Sequence, residues 1–65
     1  MSEFMDVLTE REKEVMHLLS RGLTYQQISD ELTISHETVK MHLKNIYRKL
    51  EVENKIHALQ KVKML

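Results

Sequence analysis

The sequence predicts an all-α fold, a compact four-helix domain with a helix-turn-helix at its centre. Three observations predict it. The 65 residues include no proline and a single glycine, so little in the chain interrupts a helix. No stretch alternates apolar and polar residues with period two, so no strand is expected. Finally, Thr9, Thr24, Ser35 and Asn54 can each cap a helix, and each precedes a run whose apolar side chains recur every three or four positions.

The first helix begins near Glu10. Thr9 followed by Glu12 is a capping box, in which each side chain satisfies a backbone amide that the helix start leaves unpaired. Val15, Leu18 and Leu19 form its apolar stripe, and Gly22 sits where a left-handed residue ends a helix. Thr24 and Gln27 repeat the box ahead of a second helix, from about Tyr25 to Leu32, with Ile28 and Leu32 one turn apart and the small Ser29 between them. After Thr33 and Ile34, Ser35 caps a third helix, from about His36 to Leu50. It carries Val39, His42, Leu43, Ile46 and Leu50 on one stripe. Asn54 caps the fourth, from about Lys55 to Lys63, where Ala58, Leu59 and Val62 share a face. Residues 1–6 read as a tail and residues 7–65 as one domain.

Composition narrows the function. A chain of this size buries only about 60% of the surface its unfolded form exposes, too little to wall off a deep catalytic cavity, so an enzyme is not expected. With no cysteine there is no disulfide framework and no thiolate zinc site. His17, His36 and His57 lack a paired i, i+4 spacing, so neither metal nor cofactor is expected. No segment reaches the length of a spanning helix and the start lacks the pattern of a signal peptide, which points to the cytoplasm.

The zero net charge conceals an asymmetry. Residues 1–32 hold three basic and seven acidic side chains, and residues 33–65 hold seven basic and three acidic, so the two halves carry −4 and +4. That suggests a basic face for an anionic partner.

Two helices joined by a three-residue turn, the second long and charged opposite its apolar stripe, make the helix-turn-helix arrangement. Projected at about 100° per residue, the third helix turns Glu37, Met41, Lys44 and Arg48 away from its stripe, with Lys40 and Asn45 flanking them. Such a face suits a major groove: Lys and Asn reach base edges, Arg grips guanine or phosphate, and Met touches a thymine methyl. A merely solvated, charged face has the same composition, and the turn and caps before it favour the groove reading.

At these residues the sequence resembles the LuxR-type (GerE-like) DNA-binding domain, found also as the output domain of NarL/FixJ-class response regulators. Leu8-Thr9-Glu10-Arg11-Glu12, Gly22-Leu23-Thr24, Gln27-Ile28-Ser29, Ile34-Ser35, Thr38-Val39-Lys40-Met41-His42, Asn45-Ile46-Tyr47-Arg48-Lys49-Leu50, Val52 and Asn54 carry the likeness over about residues 7–62. The resemblance implies double-stranded DNA as the partner, with the third helix in the major groove and the fourth mediating a homodimer on DNA. By position it assigns Lys40, Met41 and Lys44 to bases, with Asn45 beside them. Thr24, Thr38 and Lys49, together with Arg48, are assigned to phosphates, and Ile56, Leu59 and Lys63 to dimerisation. RNA polymerase is a further partner that this implies. The sequence departs from the family at Glu51, where glycine is usual, at Lys55, where arginine is usual, and at Ser29, where alanine is common.

Other residues have quieter readings. His42 reads as a packed, hydrogen-bonded core histidine, and His36, at the front of the third helix, as an alternative phosphate contact. Tyr47 packs at the edge of the stripe. Ile56, with Met64 and Leu65, either forms a dimer seam or completes a thin core. The competing class is a protein-interaction module that binds a partner through the basic face or the fourth helix. An RNA-binding module is weaker, because the exposed face of the third helix has no aromatic platform.

Overall fold

Each expected cap forms, and together they fix where the helices start. A computed structural model describes residues 6–63, with side chains through Val62. Thr9 Oγ1 accepts the Glu12 amide at 3.1 Å while Glu12 Oε1 accepts the Thr9 amide at 2.9 Å, opening α1 (Glu10–Ser20). Thr24 and Gln27 make the same reciprocal pair, at 3.1 and 2.8 Å, ahead of α2 (Tyr25–Leu32). Ser35 Oγ accepts the Thr38 amide at 3.0 Å and starts α3 (His36–Leu50). Asn54 Oδ1 accepts the His57 amide at 3.0 Å and starts α4 (Lys55–Lys63). No strand occurs among the described residues. Of the expected tail only Asp6 is described; Met64 and Leu65, weighed for the dimer seam, lie outside the described residues.

The first three helices also stop alike. After α1, the Leu23 amide donates to the Leu18 carbonyl and the Gly22 amide to that of Leu19, with Gly22 at φ +90°. This paired closure satisfies carbonyls that the helix end leaves open. The Ile34 amide reaches back to the Ser29 carbonyl after α2, and the Val52 amide to that of Tyr47 after α3. Here the left-handed residues are Thr33, at φ 56°, and Glu51, at φ 57°. Glu51 thus adopts the geometry that glycine usually supplies.

α3 runs through the middle, packed against α1, α2 and α4. Val39, Leu43, Ile46 and Leu50 form its buried stripe, and Leu8, Val15, Met16, Leu19, Ile28 and Ala58 close around them. Two sequence expectations are corrected. On α1, Met16 is buried while Leu18 is only half-buried, because the buried stripe runs through Glu12, Val15, Met16 and Leu19 at i, i+3, i+4 and i+7 and Leu18 lies about 100° from its centre. His42 is half-buried rather than a core histidine, and it makes no hydrogen bond among the described residues; it lies at the margin of the stripe, beside Leu43 rather than beneath it. Ser29 is buried, and its hydroxyl donates to the Gln26 carbonyl at 2.7 Å and accepts from the Gln26 side chain at 3.2 Å. A serine in alanine's usual place therefore leaves no polar atom unsatisfied.

Candidate nucleic-acid interface

The outward face of α3 follows from its inward one. Because the stripe Val39, Leu43, Ile46, Leu50 is sealed in the core, the opposite side of the helix stands in solvent. Met41 is 55% exposed there, a large apolar side chain that the core does not use. Glu37, Lys40, Lys44 and Arg48 are exposed around it, and Asn45 is half-buried at one margin. Lys40 Nζ sits 3.8 Å from Glu37 Oε2, a loose pair between exposed groups that gives way readily to a better partner. Lys44 and Arg48 make no ion pair among the described residues. All four expected base readers, Lys40, Met41, Lys44 and Asn45, therefore lie on one side of one helix.

The expected phosphate contacts divide. Thr24 is exposed at the start of α2, its hydroxyl occupied by the cap. Thr38 is half-buried, with its Oγ1 2.8 Å from Ser35 Oγ. Arg48 is exposed on the face itself. Lys49 is engaged elsewhere. Its Nζ donates to Glu12 Oε1 at 2.7 Å, and Glu12 is only 5% exposed on its side chain against 26% for Lys49. One carboxylate thus holds the α1 cap and the last turn of α3 at once. Burial pushes the Glu12 carboxyl up, but the Lys49 hydrogen bond, the Thr9 amide and the lysine charge outweigh that and hold it below its ordinary 4.5.

On the other flank of α3, Tyr47 is half-buried with its hydroxyl 3.4 Å from that of Tyr25, a long contact. Burial, then the Tyr25 hydroxyl, raises the Tyr47 phenol above its ordinary value, so it stays protonated. Sequence reasoning missed this pairing, the Glu12–Lys49 bridge, and the 2.8 Å bond from Lys61 Nζ to the Leu50 carbonyl that ties α4 to the end of α3. No local signal announces contacts between such distant positions.

The expected dimer residues also separate. Ile56 is 62% exposed, whereas Leu59 is half-buried against the core, and the Lys63 side chain lies outside the described residues. No helix among the described residues is long and apolar enough to cross a membrane, and no group of metal-ligating side chains occurs among them.

The sequence that builds this helix-turn-helix also matches a known family. Residues 6–62 match bacterial regulatory proteins of the luxR family. The chain belongs to that family. It is 50% identical over 52 residues to the nitrate/nitrite response regulator protein NarP of Escherichia coli, covering 80% of this chain and 24% of that protein. It is 40% identical over 58 residues to the response regulator protein VraR of Staphylococcus aureus, covering 89% of this chain and 28% of that one. A solved structure of the response regulator StyR superposes with a TM-score of 0.89 at 38% identity, covering 97% of this chain and 32% of that one. The chain thus spans about a quarter to a third of these relatives. It is a helix-turn-helix domain of the kind that DNA-binding transcription regulators carry.

Proposed function

We propose that this domain binds double-stranded DNA sequence-specifically, with α3 in the major groove, as the output module of a bacterial transcription regulator in the cytoplasm. The observation that carries the reading is the outward face of α3, where cations and one exposed methionine stand on a helix whose other side is locked in the core. Lys40, Met41, Lys44 and Asn45 read base edges, while Thr24, Thr38 and Arg48 hold phosphates and set the register. Lys49 is withdrawn from the phosphate set, because its ammonium already satisfies a buried carboxylate. Its role is to fix the pitch of α3 against α1.

Two copies occupy two half-sites and meet through α4, where Ile56 offers the exposed apolar contact, flanked by Leu59 and Lys63. RNA polymerase is the partner that bound copies recruit or block. Selection of bound duplexes from a random double-stranded library near physiological salt tests the reading. A short motif recurring in two copies at fixed spacing is the expected result. Enrichment without a motif, lost at modest salt, overturns sequence reading. Binding of a protein partner that salt leaves unchanged favours an interaction module instead.

A further inference from the structure

We propose that His36 grips a DNA phosphate on the α2 side of the groove face as an imidazolium, so that duplex affinity follows pH. This rests on the DNA-binding reading and adds a contact to it. Two flanks border the outward face of α3. At about 100° per residue, His36, Lys40 and Tyr47 fall within about 40° of one another on one flank, and Thr38, His42 and Lys49 on the other. Glu12 meets Lys49, so α1 lies along the second flank. Tyr25 meets both His36 and Tyr47, so α2 lies along the first.

His36 is exposed at the first turn of α3, and its ring lies against that of Tyr25 with centroids 6.1 Å apart and planes at 46°. Tyr25 is itself half-buried and tethered towards Tyr47 through the hydroxyls. The imidazole therefore lies tilted against the Tyr25 ring yet open to solvent, on the same flank as Lys40. An aromatic face favours a cation placed over it, and imidazole is the side chain that ordinarily gains its charge between pH 5 and 8.

His36 makes no ion pair or hydrogen bond among the described residues. α2 presents the neutral Tyr25 ring to it. On α3 itself the adjacent charges are Glu37 and Lys40, which pair with each other at 3.8 Å. The Glu12–Lys49 bridge from α1 and Lys61 from α4 meet α3 at its far end, about 20 Å along the axis. Among the described residues no carboxylate pairs with His36, so none competes with a phosphate for the protonated ring.

The test is the salt dependence of duplex affinity at about pH 5.5 and about pH 8, either side of the imidazole range. The probe is a duplex enriched in the selection above, and the proteins are the wild type, His36→Gln and His36→Lys, each checked for an unchanged thermal melt. The slope of log affinity against log salt should be steeper at the lower pH by about 0.9 per chain in the wild type. His36→Gln should show the shallow slope at both pH values and His36→Lys the steep one. His17, His42 and His57 remain in both variants and control for other imidazoles. A wild-type slope that ignores pH, or a pH difference that survives in His36→Gln, overturns the His36 contact and leaves the DNA-binding reading standing. No duplex binding at either pH overturns both.

Discussion

The two faces of α3 are made from one fifteen-residue helix and obey opposite physics. Its inner face, Val39, Leu43, Ile46 and Leu50, has almost no contact with water, and the other three helices pack against α3. Its outer face, Glu37, Met41, Lys44 and Arg48, touches almost nothing. The inner face sets where the helix lies, and the outer face is free to set what it recognises. Stability and recognition should therefore separate cleanly under mutation, and each prediction below tests how far.

The largest effect is expected inside. Ile46 is fully buried at the middle of the stripe, so Ile46→Ala removes transfer energy and leaves a cavity, costing about 2 to 5 kcal/mol. A domain of this size holds only several kcal/mol in all, so urea unfolding should show a midpoint lowered severely. Duplex affinity should fall only in proportion to the unfolded fraction. Lost affinity in a variant still folded under the assay conditions would mean that the two faces are coupled.

The next effect tests the flank where the separation narrows, because Lys49 borders the outward face of α3 and meets α1 by contact. Glu12→Ala leaves the Lys49 ammonium without its carboxylate and the Thr9 amide without its acceptor, and it should cost about 1.5 to 3 kcal/mol. The pH dependence has a definite sign. The folded state holds the Glu12 carboxyl below its ordinary 4.5, so its contribution is fully present above that pH and is lost as pH falls through the depressed folded value. Thermal melts of the wild type should drop on acidification below about 4.5, and Glu12→Gln, which keeps an amide acceptor for the cap, should flatten that drop.

Outside, the predicted effect is one of binding alone. Lys44→Ala should cost about 1 to 3 kcal/mol on the preferred duplex and little on random DNA, with an unchanged urea midpoint. Equal losses on both duplexes would make Lys44 a phosphate contact. Lys49→Met, which keeps the aliphatic stem, should do the reverse, lowering the midpoint while leaving the discrimination between duplexes intact.

The sequence made the inner and outer faces legible for the same reason. Both are written in the 3.6-residue period of a single helix, and the caps at Thr9, Thr24, Ser35 and Asn54 lie three residues from the amides that donate to them. What was not legible depends on separation. Glu12 and Lys49 are 37 positions apart and Tyr25 and Tyr47 are 22 apart, and no periodicity links such pairs. The pairing that engages Lys49 with α1 therefore appears only once the helices are placed. His42 was misjudged for a related reason: at the margin of a stripe, a helical wheel does not tell which neighbour arrives to cover the residue. Met16 takes the core position expected of Leu18 because the buried face of α1 is set by Glu12, Val15, Met16 and Leu19, at i, i+3, i+4 and i+7, and Leu18 stands about 100° from its centre.

The smallest effects are expected at the helix ends, where three closures of one kind use three different residues. Gly22 takes the left-handed conformation at φ +90° without a side chain, whereas Glu51 takes it at φ 57° with one. A Cβ at Gly22 would meet nothing within 4 Å, so space is not what requires glycine there; the backbone conformation is. Gly22→Ala should therefore lower stability by about 1 kcal/mol through local backbone strain alone. At Glu51 the strain is already present, and the side chain is exposed without a hydrogen bond or ion pair among the described residues, so Glu51→Gly should relieve it. Part of that gain is offset by the freedom glycine adds to the unfolded chain, leaving a net stabilisation of about 1 kcal/mol or less. Paired urea titrations of the two variants should move the midpoint in opposite directions, with duplex affinity unchanged in both. A midpoint lowered by Glu51→Gly would show that the α3–α4 turn depends on the glutamate itself rather than on its backbone.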